Sequence, residues 1–290
     1  MSHDLERRSV VVWSEGSRLA AEVVRPRAAG ADLPAIVLAH GWGGRKEHLL
    51  ELYADTFARA GFVVLAFDYR GWGGSDGRII AAPGAPMLTQ AGEQACTVRV
   101  VREVVDPRDQ VMDVRNAFAW LAAEPGVDPR RIGLWGSSYG GGHVVSVAGM
   151  DDRVKALVAQ IGGYGHPRED WYRKLARQRM SDKARGMLDP AVPQGVDGAP
   201  GLMGTPDLAR QYGHAPLEYA RRITAPTLFI DAEHEEYNEP ALQGGAAFEI
   251  LRANGVTTER RTFPCTHYRV YDDHLVEARA MALDWFQQHL

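Results

Sequence analysis

Leu134-Trp135-Gly136-Ser137-Ser138-Tyr139-Gly140-Gly141-Gly142 is the stretch whose reading decides the fold. An apolar run from Arg131 to Trp135 ends in Gly-x-Ser-x-Gly, and small residues lead directly into His143-Val144-Val145-Ser146-Val147-Ala148. The pattern predicts a buried strand, a sharp corner and a helix. A serine on so tight a turn needs neighbours without bulky side chains, because strand and helix close in on both sides of it. The register of the glycines puts Ser138 at the tip, with Ser137 as its rival. Alone, the pentapeptide also describes an ordinary glycine and serine turn, so its reading as a nucleophile depends on the rest of the chain.

Outward from that corner, short apolar runs alternate with segments of helical period. Ala35 to Ala39 and Phe62 to Phe67 are continuously apolar, and Val154 to Ile161 and Ala225 to Ile230 are predominantly so, as in parallel strands covered on both faces. Lys46 to Ala60, Gln110 to Ala123, Pro240 to Asn254 and Asp273 to His289 read as helices, two of them stopped by Gly61 and Gly255. Val10 to Trp13 and Leu19 to Val24 predict a β-hairpin, and Thr258 to Phe263 a last strand. Two segments break the alternation. Arg78 to Asp106 reads as a long excursion on the surface or over a site, and Tyr164 to Tyr219 is too long for an ordinary connection. The expected architecture is an α/β core of residues 1-163 and 220-290 with a mainly parallel central sheet, an N-terminal antiparallel hairpin and helices on both faces. Residues 164-219 form an inserted helical cap. Functional groups then gather at the carboxyl ends of the strands. Four such ends carry His40-Gly41-Trp42-Gly43, Ser138, Asp231 to Glu236, and Cys265-Thr266-His267.

The chain has 290 residues, is 45% hydrophobic and carries a formal net charge of -4, enough for one substantial core and no polyelectrolyte. Its charges are interspersed, which argues against nucleic acid or an anionic membrane as partner. Cys96 and Cys265 match no metal-ligand spacing and read as free thiols. The polar start, Met1 to Arg8, and the lack of any run near about 18 apolar residues lead to the expectation of a cytoplasmic protein without a membrane anchor. No HExxH and no Gly-x-Gly-x-x-Gly turn occurs, so neither a metal nor a cofactor is expected.

A serine hydroxyl is a weak nucleophile until a base takes its proton, and that base needs a carboxylate to orient it and stabilise its cation. His267 lies between the last strand and the last helix, as the order serine, acid, histidine requires. His143, His234 and His274 compete, but their places suit packing or surface roles. For the acid, Asp231-Ala232-Glu233-His234-Glu235-Glu236 offers four carboxylates, only one of which can reach the histidine.

With these elements in this order, the chain resembles the α/β-hydrolase superfamily and, within it, bacterial esterases and dienelactone-hydrolase-like enzymes. The resemblance spans nearly everything except Arg78 to Asp106 and the cap. It implies an acid loop of the form Gly-x-x-Asp; laying Ala232 on that glycine places Glu235 on the acid, ahead of Glu236 and Asp231. A glutamate thus stands where aspartate is commoner, and Ser138 where dienelactone hydrolases proper carry cysteine, which points away from a true dienelactone hydrolase. The backbone N–H groups of Tyr139 and Trp42 are implied as the oxyanion hole, with His40 bracing that loop. Asp68 to Ser75 matches the superfamily's Asp-x-Arg-Gly-x-Gly-x-Ser loop, where Asp68 and Arg70 are structural. Trp72, Tyr164, Trp171 and Tyr172 are candidate walls of the substrate pocket, joined by Met180. The implied activity is a serine hydrolase cleaving a carboxylic ester, lactone or thioester of a small molecule through an acyl-enzyme on Ser138. An acyltransferase or amide hydrolase would use the same triad. A non-hydrolytic binding or biosynthetic scaffold is the alternative of a different class. A cap or edge strand would also offer a surface for a homodimer.

Overall fold

The computed structural model describes residues 4–27, 30, 32–165, 169–189, 191–192 and 195–290. The two N-terminal apolar runs form a hairpin of β1 (Leu5–Ser14) and β2 (Ser17–Pro26). Its two-residue turn, Glu15 and Gly16, has positive φ at both positions, which matches the twist of the flanking strands. β3 (Leu33–Ala39) leads through α1 (Lys46–Leu49), a π-helical turn (Leu50–Ala54) and α2 (Asp55–Arg59) to β4 (Val63–Phe67). Next come β5 (Arg78–Ala81), β6 (Val98–Val101) and the two-residue β7 (Val104–Val105). α3 (Pro107–Ala122), β8 (Val127–Ser137), α4 (Tyr139–Met150) and β9 (Ala156–Gln160) restore the alternation. They are followed by α5 (Asp170–Ala184), β10 (Thr205–Pro206), α6 (Leu208–Gln211) and α7 (Pro216–Ala220). The chain ends with β11 (Thr227–Ala232), α8 (Gly244–Ala253), β12 (Thr258–Phe263), a 3-10 turn (His267–Tyr271) and α9 (Leu275–His289).

Among the described residues the main sheet has eight strands in the order β1-β2-β4-β3-β8-β9-β11-β12. β1 and β2 are antiparallel to each other, β2 is antiparallel to β4, and the remaining neighbours are parallel. This is the α/β-hydrolase architecture expected from the sequence. The buried strands send alternate side chains into two separate cores, as the two-residue pleat requires. Val37, Leu65, Leu134 and Phe229 meet α3, α4 and α8 on one face. Ile36, Leu38, Trp135 and Ile230 meet the α1–α2 segment and α9 on the other. Among the described residues no helix is long and apolar enough to cross a membrane.

Three differences from the sequence reading have physical causes. The helix expected over Lys46 to Ala60 contains the π-helical turn because its buried residues recur every four: Leu49, Tyr53 and Phe57, and Leu50, Ala54 and Phe57's neighbour Ala58. A 3.6-residue turn drifts by about 40° over each such step, and one wider turn absorbs the drift. The Arg78 to Asp106 excursion is not irregular throughout, since β5 and β6 pair into an antiparallel ribbon. The segment expected to be a helical cap also contains β10, whose two residues pair in parallel with β7 and join this segment to the excursion. Within 164–219, Tyr164 is buried in the main core against Phe229, and α7 packs on α4.

Candidate active site

β8 passes into α4 through Ser138, whose φ of 55° and ψ of -126° match the first central residue of a type II′ turn. Such a conformation costs a non-glycine residue about 1–3 kcal/mol unless its surroundings hold it. Here the Ser138 N–H donates to the Gln160 carbonyl at 2.9 Å, and the Ser138 carbonyl accepts from Gly141 N–H at 2.9 Å. The flanking glycines are steric requirements. A Cβ at Gly136 would lie 2.4 Å from the Gly140 carbonyl oxygen, and one at Gly140 would lie 2.4 Å from that of His40.

The 3-10 turn after β12 brings His267 Nε2 to 3.0 Å from Ser138 Oγ. On the other side of the ring, His267 Nδ1 lies 2.7 Å from Glu235 Oε2. Nδ1–H therefore donates to the carboxylate, which leaves Nε2 as acceptor for the serine hydroxyl. Glu235 is itself fixed, because Oε1 accepts from the backbone N–H groups of Glu236 (3.0 Å) and Tyr237 (2.9 Å). Both side chains are almost wholly removed from solvent.

The competing groups are engaged elsewhere. Asp231 is paired with Arg260 of the neighbouring strand at 2.6 Å; burial raises its carboxyl above the usual range, with Arg260 acting against that. Glu233 and Glu236 are exposed. Buried His143 meets Gln110 at 3.1 Å, and desolvation drives its pKa well below the ordinary imidazole value. His274 stacks on Phe263, and His234 is exposed. Ser137 points away from the tip, 2.7 Å from the Tyr271 hydroxyl.

Gly41 lies directly on Ser138, since a Cβ there would come within 2.8 Å of Ser138 Cβ and 3.3 Å of Oγ. That contact sets the Trp42 backbone beside Ser138. Trp42 is further fixed by Nε1–H donating to the Met203 carbonyl at 2.9 Å and by its ring packing on Tyr139. Tyr139 opens α4, and the first N–H groups of a helix have no carbonyl within it to bind. His40 Nδ1 sits 2.9 Å from the Gly41 carbonyl, and burial lowers the pKa of this imidazole to about 4, so it is a neutral brace for the loop. Asp68 accepts from the N–H groups of Lys46 (2.8 Å) and Gly74 (3.0 Å), tying two loops together. Arg70 pairs with buried Asp113 at 2.8 Å.

A cavity of about 580 Å³ opens over Ser138. Of the four aromatic residues expected to wall it, only Tyr172 does. Trp72 is instead packed in the main core with Nε1–H directed at the Val104 carbonyl, Tyr164 is buried on the sheet, and Trp171 is 60% exposed. The last two miss for a simple reason: residues adjacent on a helix point about 100° apart, so α5 can aim Tyr172 or Trp171 inward, and Tyr164 precedes that helix on the core side. Met180 is also exposed. The walls that sequence reasoning missed are Leu49, Leu52 and Tyr53 around the π-helical turn, and Tyr237, Tyr268 and Tyr271 around His267. The first group had a signal in its four-residue spacing; Tyr268 and Tyr271 had one in lying beside His267.

A family model described as X-Pro dipeptidyl-peptidase (S15 family) matches residues 15–188. An uncharacterized 31.7 kDa protein from the traX-finO intergenic region of Escherichia coli is 27% identical over 286 residues, covering 89% of this chain and 91% of that protein. The thiohydrolase aneE of Aspergillus aculeatus is 33% identical over 129 residues, 44% of this chain and 34% of that protein. Among solved structures, DcsB in complex with its substrate analogue superposes with a TM-score of 0.73 at 20% identity, covering 98% of this chain and 100% of that one.

Proposed function

The chain belongs to the S15 family and is an α/β hydrolase, and from that premise we propose that it cleaves a neutral carboxylic ester, lactone or thioester through an acyl-enzyme on Ser138. The observation that carries this reading is the continuous relay from Ser138 Oγ to His267 (3.0 Å) and from His267 to Glu235 (2.7 Å), open to a cavity with no Asp, Glu, Lys or Arg among its described lining residues. His267 Nε2 takes the hydroxyl proton as Oγ bonds to the substrate carbonyl, and Glu235 stabilises the resulting imidazolium. The N–H groups of Trp42 and Tyr139 receive the oxyanion, each contributing on the order of 3 kcal/mol to the barrier reduction. The leaving alcohol or thiol departs with the Nε2 proton. Water, deprotonated by the same nitrogen, then releases the acid.

Among the described lining residues no carboxylate is free, which argues against dipeptidyl-peptidase activity. A peptide's N-terminal ammonium needs a carboxylate partner, and Glu235 is committed to His267 and two backbone N–H groups. Residues 164–219 act as the cap, supported by Tyr172, Leu202, Gln211 and His214 standing on the cavity wall. The two unpaired thiols, Cys96 and Cys265, suit a reducing compartment such as the cytoplasm.

A fluorophosphonate should label the protein stoichiometrically at Ser138, and Ser138→Ala should lose both labelling and at least about 10³-fold of its turnover of p-nitrophenyl esters. Added alcohol or amine acceptors in the same assay separate hydrolysis from acyl transfer. A folded protein that neither labels nor turns over any ester would make the chain a non-hydrolytic scaffold.

A further inference from the structure

His267, Tyr237 and Tyr268 all stand on the cavity wall, and their rings meet nearly at right angles. Tyr237 lies 5.1 Å from the imidazole centroid at 79°, Tyr268 lies 5.2 Å from it at 79°, and the two tyrosine rings are 5.9 Å apart at 84°. Rings so inclined present both faces and edges to a group that enters beside them. Tyr237 is 46% exposed and Tyr268 51%, so neither side chain is spent on filling a core. Their backbones are nonetheless fixed. Tyr237 N–H donates to Glu235 Oε1 at 2.9 Å, and Tyr268 follows His267 within the 3-10 turn. Open apolar rings anchored in this way on a cavity wall suit the recognition of a ligand.

The relay decides which half of a substrate meets these rings. When the tetrahedral intermediate collapses, the bond from the acyl carbon to the alcohol oxygen breaks and its electron pair stays on that oxygen, which takes the proton from His267 Nε2. The alcohol oxygen therefore lies within hydrogen-bond reach of Nε2, while the oxyanion is drawn to the N–H groups of Trp42 and Tyr139. A group carried by the alcohol extends along His267 toward Tyr237 and Tyr268. The acyl chain, bonded to the same carbon, diverges from it. Edge-to-face contact with such rings favours an aromatic group over an aliphatic one of the same size. A cation would also be drawn to the ring faces, but in this step the imidazole is itself positive and stands against the same rings.

We infer that Tyr237 and Tyr268 form a leaving-group subsite that selects esters of neutral alcohols carrying an aromatic ring. The inference rests on the ester-cleaving reading for where the leaving group lies, and on the two exposed rings beside His267 for its chemistry.

The test compares benzyl butyrate with cyclohexylmethyl butyrate, each rate normalised to alkaline hydrolysis of the same ester. Cyclohexyl is the more apolar group, so a preference for benzyl is not a transfer effect. For the wild type, kcat/KM should favour benzyl by about 10-fold. Tyr237→Leu and Tyr268→Leu should each reduce that ratio and the double variant should bring it to about one, with Tm recorded for all three. Ethyl phenylacetate and ethyl cyclohexylacetate carry the same rings on the acyl side, and their ratio should be equal in wild type and variants. A benzyl preference that survives in the double variant overturns the proposal, as does a variant effect confined to the acyl pair. A normalised preference for butyrylcholine over its neutral isostere 3,3-dimethylbutyl butyrate overturns it as well. A protein that labels with fluorophosphonate and cleaves these esters without favouring benzyl loses the subsite alone. One that neither labels nor cleaves any of them loses the ester-cleaving reading, and the subsite with it.

Discussion

Glu235 reaches His267 because of where its neighbours are spent. Asp231, still inside β11, faces Arg260 across the sheet, and Glu236 points to solvent, so only the residue at the loop's tight turn is aimed back at the imidazole. Replacing the carboxylate by an amide keeps the shape but favours the wrong imidazole tautomer. Glu235→Gln should lower kcat by about 10³–10⁴-fold with little change in KM. Glu236→Gln should stay within about threefold, and steady-state kinetics on one ester suffice to compare them. Comparable losses in both variants would remove Glu235 from the relay. In the sequence, motif and chain order single out Ser138 and His267, which the fold brings within 3.0 Å, whereas the carboxylate that faces His267 could not be separated from its neighbours by spacing alone. Four carboxylates in six residues differ only in which way the backbone turns.

At the scale of elements, the site is the junction of a strand–helix corner with a 3-10 turn, and Tyr271 holds the two together. It ends the turn that begins with His267, and its hydroxyl lies 2.7 Å from the Oγ of Ser137, the residue before Ser138. Gln160 completes the contact from β9, its Nε2–H donating to Ser137 Oγ at 3.2 Å and to the Tyr53 hydroxyl at 3.0 Å. Tyr271→Phe leaves Ser137 with one buried partner fewer, so a loss of about 1–3 kcal/mol in stability is expected. Loosening the His267 turn should also lower kcat by about 10-fold more than it changes KM, measured beside urea denaturation. The corner itself tolerates less. Gly140→Ala forces a methyl against the His40 carbonyl, and the variant should lose more than about 3 kcal/mol or fail to fold, as urea midpoints or soluble yield will report. Strand and helix identities were legible because their periods differ. The inward faces of the pocket were not: Trp171 and Tyr172 are equally aromatic in sequence, and only the packing of α5 against α6 chooses between them.

For the whole molecule, the alternation of buried runs and amphipathic segments was enough to read a parallel sheet between two helical layers. What it could not reveal were contacts between remote segments. The pairing of β7 with β10 and the ion pair of Arg210 with Asp106 each join residues about a hundred positions apart, with no local pattern to announce them. Burial of titratable groups is another such long-range property, and it sets how the fold responds to acid. His40 is held neutral down to about pH 4 by desolvation, and buried His143 is shifted in the same direction. Below the unfolded imidazole value near 6.5, the unfolded chain binds protons that the folded chain refuses. Stability is therefore lost as pH falls from about 6.5 to about 4, by on the order of 3 kcal/mol for His40 alone. Asp113 works in the opposite sense. Desolvation lifts its carboxyl to about 6 despite Arg70, so between about pH 6 and 4 the folded chain gains a proton before the unfolded one does, and the fold gains a similar amount. Asp113 thus offsets one histidine while the other stays uncompensated, and wild-type stability should still decline as pH falls across this range. Asp113→Asn removes the offset, so its urea midpoint should fall more steeply between pH 6 and pH 4 than that of the wild type. Parallel profiles for the two proteins would show that Asp113 takes up no proton in the folded state over this range.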